Sequence, residues 1–249
     1  MIRFIARLDI KGPNLIKGIR FEGVRVIGNP QTYAKKYYEE GIDEIIYIDT
    51  VASLYNRIGL QDLLEKTIKD VFIPITAGGG VRSVDDVKLL LRSGADKVAI
   101  NTAAIKRPKI ITDISNTFGS QCVVSSIQAC KQSDKSWEAY YDNGREHSGY
   151  DVVEWAKEVV RLGAGEILLS SVDKDGTSKG LDIDLIKLVS ESVSIPVIAS
   201  SGMGKPQDFI DVIKYGNADA VASGFMLHYN KSSIKKVKED SKKEGIDVR

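Results

Sequence analysis

Asp9 lies in the stretch A-R-L-D-I, at the end of a short apolar run that begins near Arg3. A carboxylate in such surroundings is a candidate general acid or base, because burial can raise its pKa. The competing reading is a structural acid paired with Lys11 or Arg7. A second apolar run, V-V-S-S-I-Q-A, carries Gln128 at the comparable place. An amide there can hydrogen-bond but cannot exchange protons at neutral pH.

Glycine clusters supply the second kind of chemistry. Gly78, Gly79 and Gly80 fall between an apolar run and a helix opened by Ser83, and Asn101-Thr102 closes the next apolar run. Glycines at a strand-to-helix turn let backbone N–H groups approach an anion, which the helix N-terminus also favours. The plainer reading is a tight turn needing positive φ. A related set recurs later as Gly202, Gly204 and Gly224, with Asp175-Gly176-Thr177 ending another run. Two such anion sites on opposite halves would hold both ends of an elongated phosphorylated substrate.

Four charges stand where apolar runs begin rather than end: Arg3, Glu44, Lys97 and Glu166. They suit either a salt-bridged plug or a gate whose charges rearrange to admit a small polar molecule. The spacing alone leaves both open.

The elements that must position these residues repeat along the chain. I-P-I-T-A-G-G-G at Ile73 has a cognate, I-P-V-I-A-S-S-G, at Ile195, an offset of 122. Gly80 meets Gly202 at the same offset, as G-I-D-E-I-I at Gly41 meets G-A-G-E-I-L at Gly163. Strands are expected near Arg3–Asp9, Glu44–Asp49, Ile73–Ala77, Lys97–Asn101, Cys122–Gln128, Glu166–Ser171, Val197–Ser200 and Ala218–Ser223. Most are continuously apolar, as buried parallel strands are, and helical patterns separate them. Eight strand-helix units in 249 residues match a (β/α)8 TIM barrel. A doubly wound open sheet is the main alternative, and the duplication favours the barrel. One domain spanning 1–249 is expected, with half-barrels of about 1–121 and 122–249. Long connections at Lys11–Pro30 and Lys131–Tyr150 occupy equivalent places on the face where barrel active sites form. The second contains W-E-A-Y-Y-D-N-G-R, an alternating run ending in a hairpin signal.

Composition narrows the function classes. With 43% hydrophobic and 28% charged residues the chain is ordinary globular material, and a net charge of +1 gives no bulk field for nucleic acid or an acidic membrane. No run reaches the length of a membrane span, and no secretory leader opens the chain. Cys122 and Cys130 flank one expected strand, roughly 26 Å apart, so reduced thiols in a cytoplasmic protein are expected. Two histidines without a clustered ligand pattern argue against a transition-metal site, and no cofactor is implied.

The motifs R-L-D-I-K at Arg7, L-I-K-G at Leu15, T-A-G-G-G-V-R-S at Thr76 and G-A-D-K-V-A-I-N-T-A-A at Gly94 belong to one pattern. F-G-S-Q-C-V-V at Phe118, G-A-G-E-I-L-L-S-S at Gly163 and D-K-D-G-T at Asp173 continue it. Over essentially its full length the chain resembles the cyclase subunit of imidazole glycerol phosphate synthase. The resemblance implies a barrel whose bottom docks a glutaminase and whose axis carries ammonia to a substrate held by two phosphate sites. It implies catalytic roles for Asp9 and Lys17, one phosphate site at Gly80, Asn101 and Thr102, and part of the other at Asp175, Gly176, Gly202 and Gly224. It also implies a bottom gate of Arg3, Glu44, Lys97 and Glu166, with Asp96 facing the partner.

Four departures stand out, the first being Lys11-Gly12-Pro13-Asn14 where the family has K-D-G-R. Gln128 replaces the family's second catalytic aspartate, Ser201 replaces a glycine, and Phe225 replaces a hydroxyl residue. The expected function is therefore an ammonia-accepting synthase subunit of this cyclase type, acting on a phosphorylated substrate. The alternatives are a divergent paralogue aminating a nucleotide sugar for surface polysaccharide, or a non-catalytic phosphoester-binding barrel.

Overall fold

The structure, a computed structural model, describes residues 1–52 and 59–249. Its strands are β1 (Arg3–Lys11), β2 (Asn14–Ile19), β3 (Glu22–Gly28), β4 (Glu44–Asp49), β5 (Ile75–Gly78), β6 (Lys97–Ile100), β7 (Val123–Ser133), β8 (Ser136–Tyr141), β9 (Glu146–Asp151), β10 (Glu166–Ser171), β11 (Val197–Ser200) and β12 (Ala220–Ser223). Eight of them pair in parallel around a ring, β1-β4-β5-β6-β7-β10-β11-β12. Pairing of β12 back onto β1, with Arg3 beside Ala220, closes it. Helices cover the outside between strands, so the fold is the expected closed (β/α)8 barrel.

Strand alternation sorts side chains into two cores. On β1, Phe4, Ala6, Leu8 and Ile10 join the large core beneath the helices. Ile5 belongs instead to a small apolar layer inside the barrel, with Ile46, Ala99, Val124, Leu168, Ile198, Ala220 and Ala222. Arg3, Arg7 and Asp9 share the parity of Ile5, so one strand carries a cation, an aliphatic layer, a second cation and a carboxylate from bottom to top.

Helix starts follow local sequence. Ser83 Oγ accepts from the Asp86 amide at 3.2 Å while Asp86 Oδ2 accepts from the Ser83 amide at 3.0 Å, a reciprocal cap. That cap fixes the helix Val84–Arg92 just beyond the triple glycine.

Both long connections are antiparallel hairpins. β2 and β3 extend β1, and β8 and β9 extend β7, at equivalent places in the two halves. The first corrects the expectation that the strand stops at Asp9: pairing with β2 carries β1 on to Lys11. The second turns at Asp142, Asn143 and Gly144, all at positive φ, as the Asn-Gly signal implies. Two short helices, Thr102–Lys106 and Phe225–His228, escaped the periodicity because neither is long enough to show one. Cys130 lies within β7 rather than at its edge, and both cysteines are free.

Candidate active site

At the bottom of the barrel the four expected gate residues form a closed square of alternating charge. Arg3 Nη1 lies 2.9 Å from Glu44 Oε1, and its Nη2 bonds Glu166 Oε1. Lys97 Nζ completes the square, 3.4 Å from Glu44 Oε2 and 2.9 Å from Glu166 Oε2. Each cation touches both anions, so removing one member breaks two contacts. Asp96, next to Lys97, is exposed on the same end, where its Oδ2 accepts from the Ile75 amide at 2.8 Å. Directly above the square lies the inner apolar layer.

At the top, Asp9 is buried, with 4% of its surface exposed. Arg7 Nε donates to Asp9 Oδ1 at 2.9 Å, and Lys17 Nζ donates to Oδ2 at 3.1 Å. Lys17 also contacts Asp175 Oδ1 at 3.0 Å. Burial pushes the Asp9 carboxyl up, as anticipated from sequence, but the charges and hydrogen bonds of Arg7 and Lys17 outweigh it. The net shift is well below the usual carboxylate range, which corrects the expectation of a raised pKa. Burial lowers the Lys17 ammonium, while Asp9 and Asp175 more than restore it, so it is held charged. Lys11, the other suggested partner of Asp9, is exposed.

The tip of the β2–β3 hairpin folds over this cluster. Phe21, at φ 60°, lays its ring 5.4 Å from the Arg7 guanidinium carbon. Its amide donates to Asp175 Oδ2 at 3.4 Å, and its carbonyl accepts from Asn143 Nδ2 at 3.5 Å. The tips of the two hairpins therefore meet above the barrel mouth.

A cavity of about 400 Å³ opens on one side of the mouth. Gly80, Asn101 and Thr102 line it as expected, and Arg82, Lys106 and Arg107 add positive charge. Thr102 Oγ1 and Asn101 Nδ2 bond Asp142 and the Tyr140 carbonyl, tying the second hairpin to this cavity. Gln128 reaches the same cavity; it is 7% exposed and its Oε1 has no hydrogen-bond partner among the described residues.

On the other side, Asp175, Gly176, Gly202 and Gly224 line a cavity of only about 10 Å³, with Arg7, Ser201 and Phe225. Gly176 has φ 67° and packs its α-carbon against the Gly18 carbonyl, leaving no room for a side chain. Gly202 is similar, at φ 98° against the Gly180 carbonyl. Ser201 also adopts positive φ, 83°, which costs a non-glycine residue roughly 1–3 kcal/mol. Its hydroxyl donates to Asp175 Oδ1 at 3.3 Å. The Asp175 carboxylate is engaged by Lys17, Phe21 and Ser201, so it positions those groups rather than offering an anion a favourable charge. Sequence reasoning named Arg7 only as a partner for Asp9, and missed the cationic rim and Phe21. The period-two alternation Arg3, Ile5, Arg7, Asp9 is the signal that places Arg7 inside.

Among the described residues no group of histidine, cysteine and carboxylates is arranged to hold a metal ion, and no helix is long and apolar enough to cross a membrane.

Residues 3–233 match the model of the family described as histidine biosynthesis protein. An imidazole glycerol phosphate synthase subunit HisF from Legionella pneumophila is 62% identical over 208 residues, covering 84% of this chain and 98% of that protein. The chain belongs to the family of imidazole glycerol phosphate synthase cyclase subunits. Subunits of the same name from Pyrococcus furiosus and Alkaliphilus metalliredigens are 46% and 43% identical, each over 99% of this chain and 98% of the relative. The activity is accordingly that of the ammonia-accepting cyclase subunit of imidazole glycerol phosphate synthase, in histidine biosynthesis. Amination of a nucleotide sugar, and a barrel without catalysis, are not favoured by these relatives.

Proposed function

We propose that this subunit takes ammonia from a partner glutaminase docked on the barrel bottom and delivers it along the axis to a bisphosphorylated substrate at the mouth. The observation that carries this reading is vertical order. A square of alternating charge lies beneath an apolar layer, which lies beneath the Asp9–Lys17 pair. Ammonia is small and uncharged, so an apolar layer passes it more readily than ammonium. The square must open to admit it, and docking near Asp96 and Lys97 supplies the force that separates the pairs.

One phosphate sits at Gly80, Asn101 and Thr102 beneath Arg82, Lys106 and Arg107. The other end lies against Gly176, Gly202 and Gly224, a cavity that must widen to hold it. Asp9, held ionised, accepts a proton as the new C–N bond forms, and Lys17 keeps that carboxylate oriented. Closing the imidazole ring expels an aminoimidazole and needs a second proton transfer. Gln128 cannot perform it, but its free Oε1 can accept an N–H of the substrate and fix its approach. A cytoplasmic setting fits the two free cysteines.

The test is isotopic. The chain and its glutaminase, supplied with amide-labelled glutamine in an excess of unlabelled ammonium, place the label in the product imidazole. Release of the label into solvent ammonia with unlabelled product contradicts delivery along the axis.

A further inference from the structure

We infer that Arg7 is a positioning residue for the cyclase reaction, acting through Asp9 by fixing its carboxylate to the opposite half of the barrel. This rests on the reading of Asp9 as the proton-accepting group. Three hydrogen bonds carry the inference. Nε donates to Asp9 Oδ1 at 2.9 Å, while Nη1 donates to Ser170 Oγ at 2.8 Å and Ser200 Oγ at 3.2 Å. Asp9 is on β1, whereas Ser170 and Ser200 are on β10 and β11, so one guanidinium spans the barrel interior.

The arrangement differs from an ordinary buried ion pair. Arg7 is 4% exposed and Phe21 covers its face, so the side chain has no freedom to swing into solvent. A planar fork pinned at its far end by two hydroxyls holds the near end in one direction, which an ammonium would not do. Asp9 is thereby gripped on both oxygens, by rigid Arg7 and by Lys17 from the hairpin. Lys17 reaches Asp9 from the hairpin, whereas Arg7 belongs to the barrel wall. The charged or titratable groups around Asp9 are Arg7 on β1, Lys17 on β2, Asp175 beyond β10 through Lys17, and His228 in the helix after β12.

The experiment measures ammonium-driven turnover in Arg7→Met, Arg7→Lys, Asp9→Asn and the Arg7→Met/Asp9→Asn double variant. Misplacing a reacting group by about 1 Å costs up to about 10²-fold, so Arg7→Met should lower kcat by about tenfold or more. KM should stay within about threefold, because uniform substrate binding is not removed. Arg7→Lys should recover part of the loss. Two residues acting as a unit are non-additive, so the double variant should fall no further than Asp9→Asn alone. Wild-type kcat in Arg7→Met overturns the proposal, as does a raised KM with kcat intact, or multiplication of the two losses in the double variant. Wild-type kcat in Asp9→Asn overturns the reading of Asp9 itself and this proposal with it. If Arg7→Met does not fold, Ser170→Ala and Ser200→Ala decide, since they release the far end and keep the charge. A lower kcat at unchanged KM in either supports the role, and wild-type kcat in both overturns it.

Discussion

Lys17 Nζ reaches Asp9 Oδ2 at 3.1 Å from the neighbouring strand of a hairpin whose tip also carries Phe21. Lys17 and the Phe21 ring over Arg7 are thus parts of one element. The same hairpin pairs Asp9 and covers Arg7.

Asp9→Asn preserves shape and removes ionisation. Turnover with ammonium should fall about 10²–10⁴-fold, the usual worth of a positioned acid or base, while KM changes little. Steady-state kinetics on the purified variant check this.

Lys17→Met should destabilise the fold as well as slow the reaction. It leaves Asp9 and Asp175 buried, with Asp175 deprived of its cation, and stranding a buried charge costs about 3–5 kcal/mol. Urea unfolding at neutral pH measures the loss. A variant as stable as wild type contradicts the pairing.

His228 sets an acid limit on stability. Burial lowers its pKa from 6.5 to about 4, and its Nδ1 is paired with the Tyr37 hydroxyl at 2.8 Å. The unfolded chain therefore binds a proton in the window where the folded chain does not. The stability from a neutral His228 is complete above pH 6.5 and lost as pH falls from there to about 4. The loss across that window is about 3 kcal/mol. His228→Gln should flatten the stability profile there, as chemical denaturation from pH 7 to 4 reports. An unchanged slope contradicts it.

The barrel was legible because parallel strands buried on both faces read as apolar runs, and because the offset of 122 recurs in two separate motifs. Asp9 and the bottom square were legible for a similar reason: a charge inside an apolar run has few places to go. The direction of the Asp9 shift was not, since it depends on Lys17, eight residues away and delivered by a hairpin that β1 zips into. Nor was the disparity of the two cavities. It arises where Arg7, Ser201 and Phe225, far apart in sequence, line the smaller cavity, and where the first hairpin packs the Gly18 carbonyl onto Gly176.

Docking should depend on the exposed bottom acid. Co-expression with the glutaminase should give a stable pair on size-exclusion chromatography, and Asp96→Lys should weaken it. A barrel that elutes alone in both forms contradicts the role assigned to that face.

Gln128→Asp should raise turnover. The amide leaves one of two proton transfers without an ionisable group, and a positioned carboxylate contributes up to about 10²–10⁴-fold. Its unpartnered Oε1 lies in the large cavity, so an aspartate there reaches the same space. Equal or lower kcat in the variant shows that another group already moves that proton.

The most direct measurement supplies the purified subunit with ammonium salt and the histidine-pathway substrate, without any glutaminase, and follows ring closure and release of the aminoimidazole. Turnover should rise with pH as ammonium gives way to ammonia, and Asp9→Asn should lower it about 10²–10⁴-fold. No product from the wild-type chain at any pH, or product formed equally by Asp9→Asn, would contradict it.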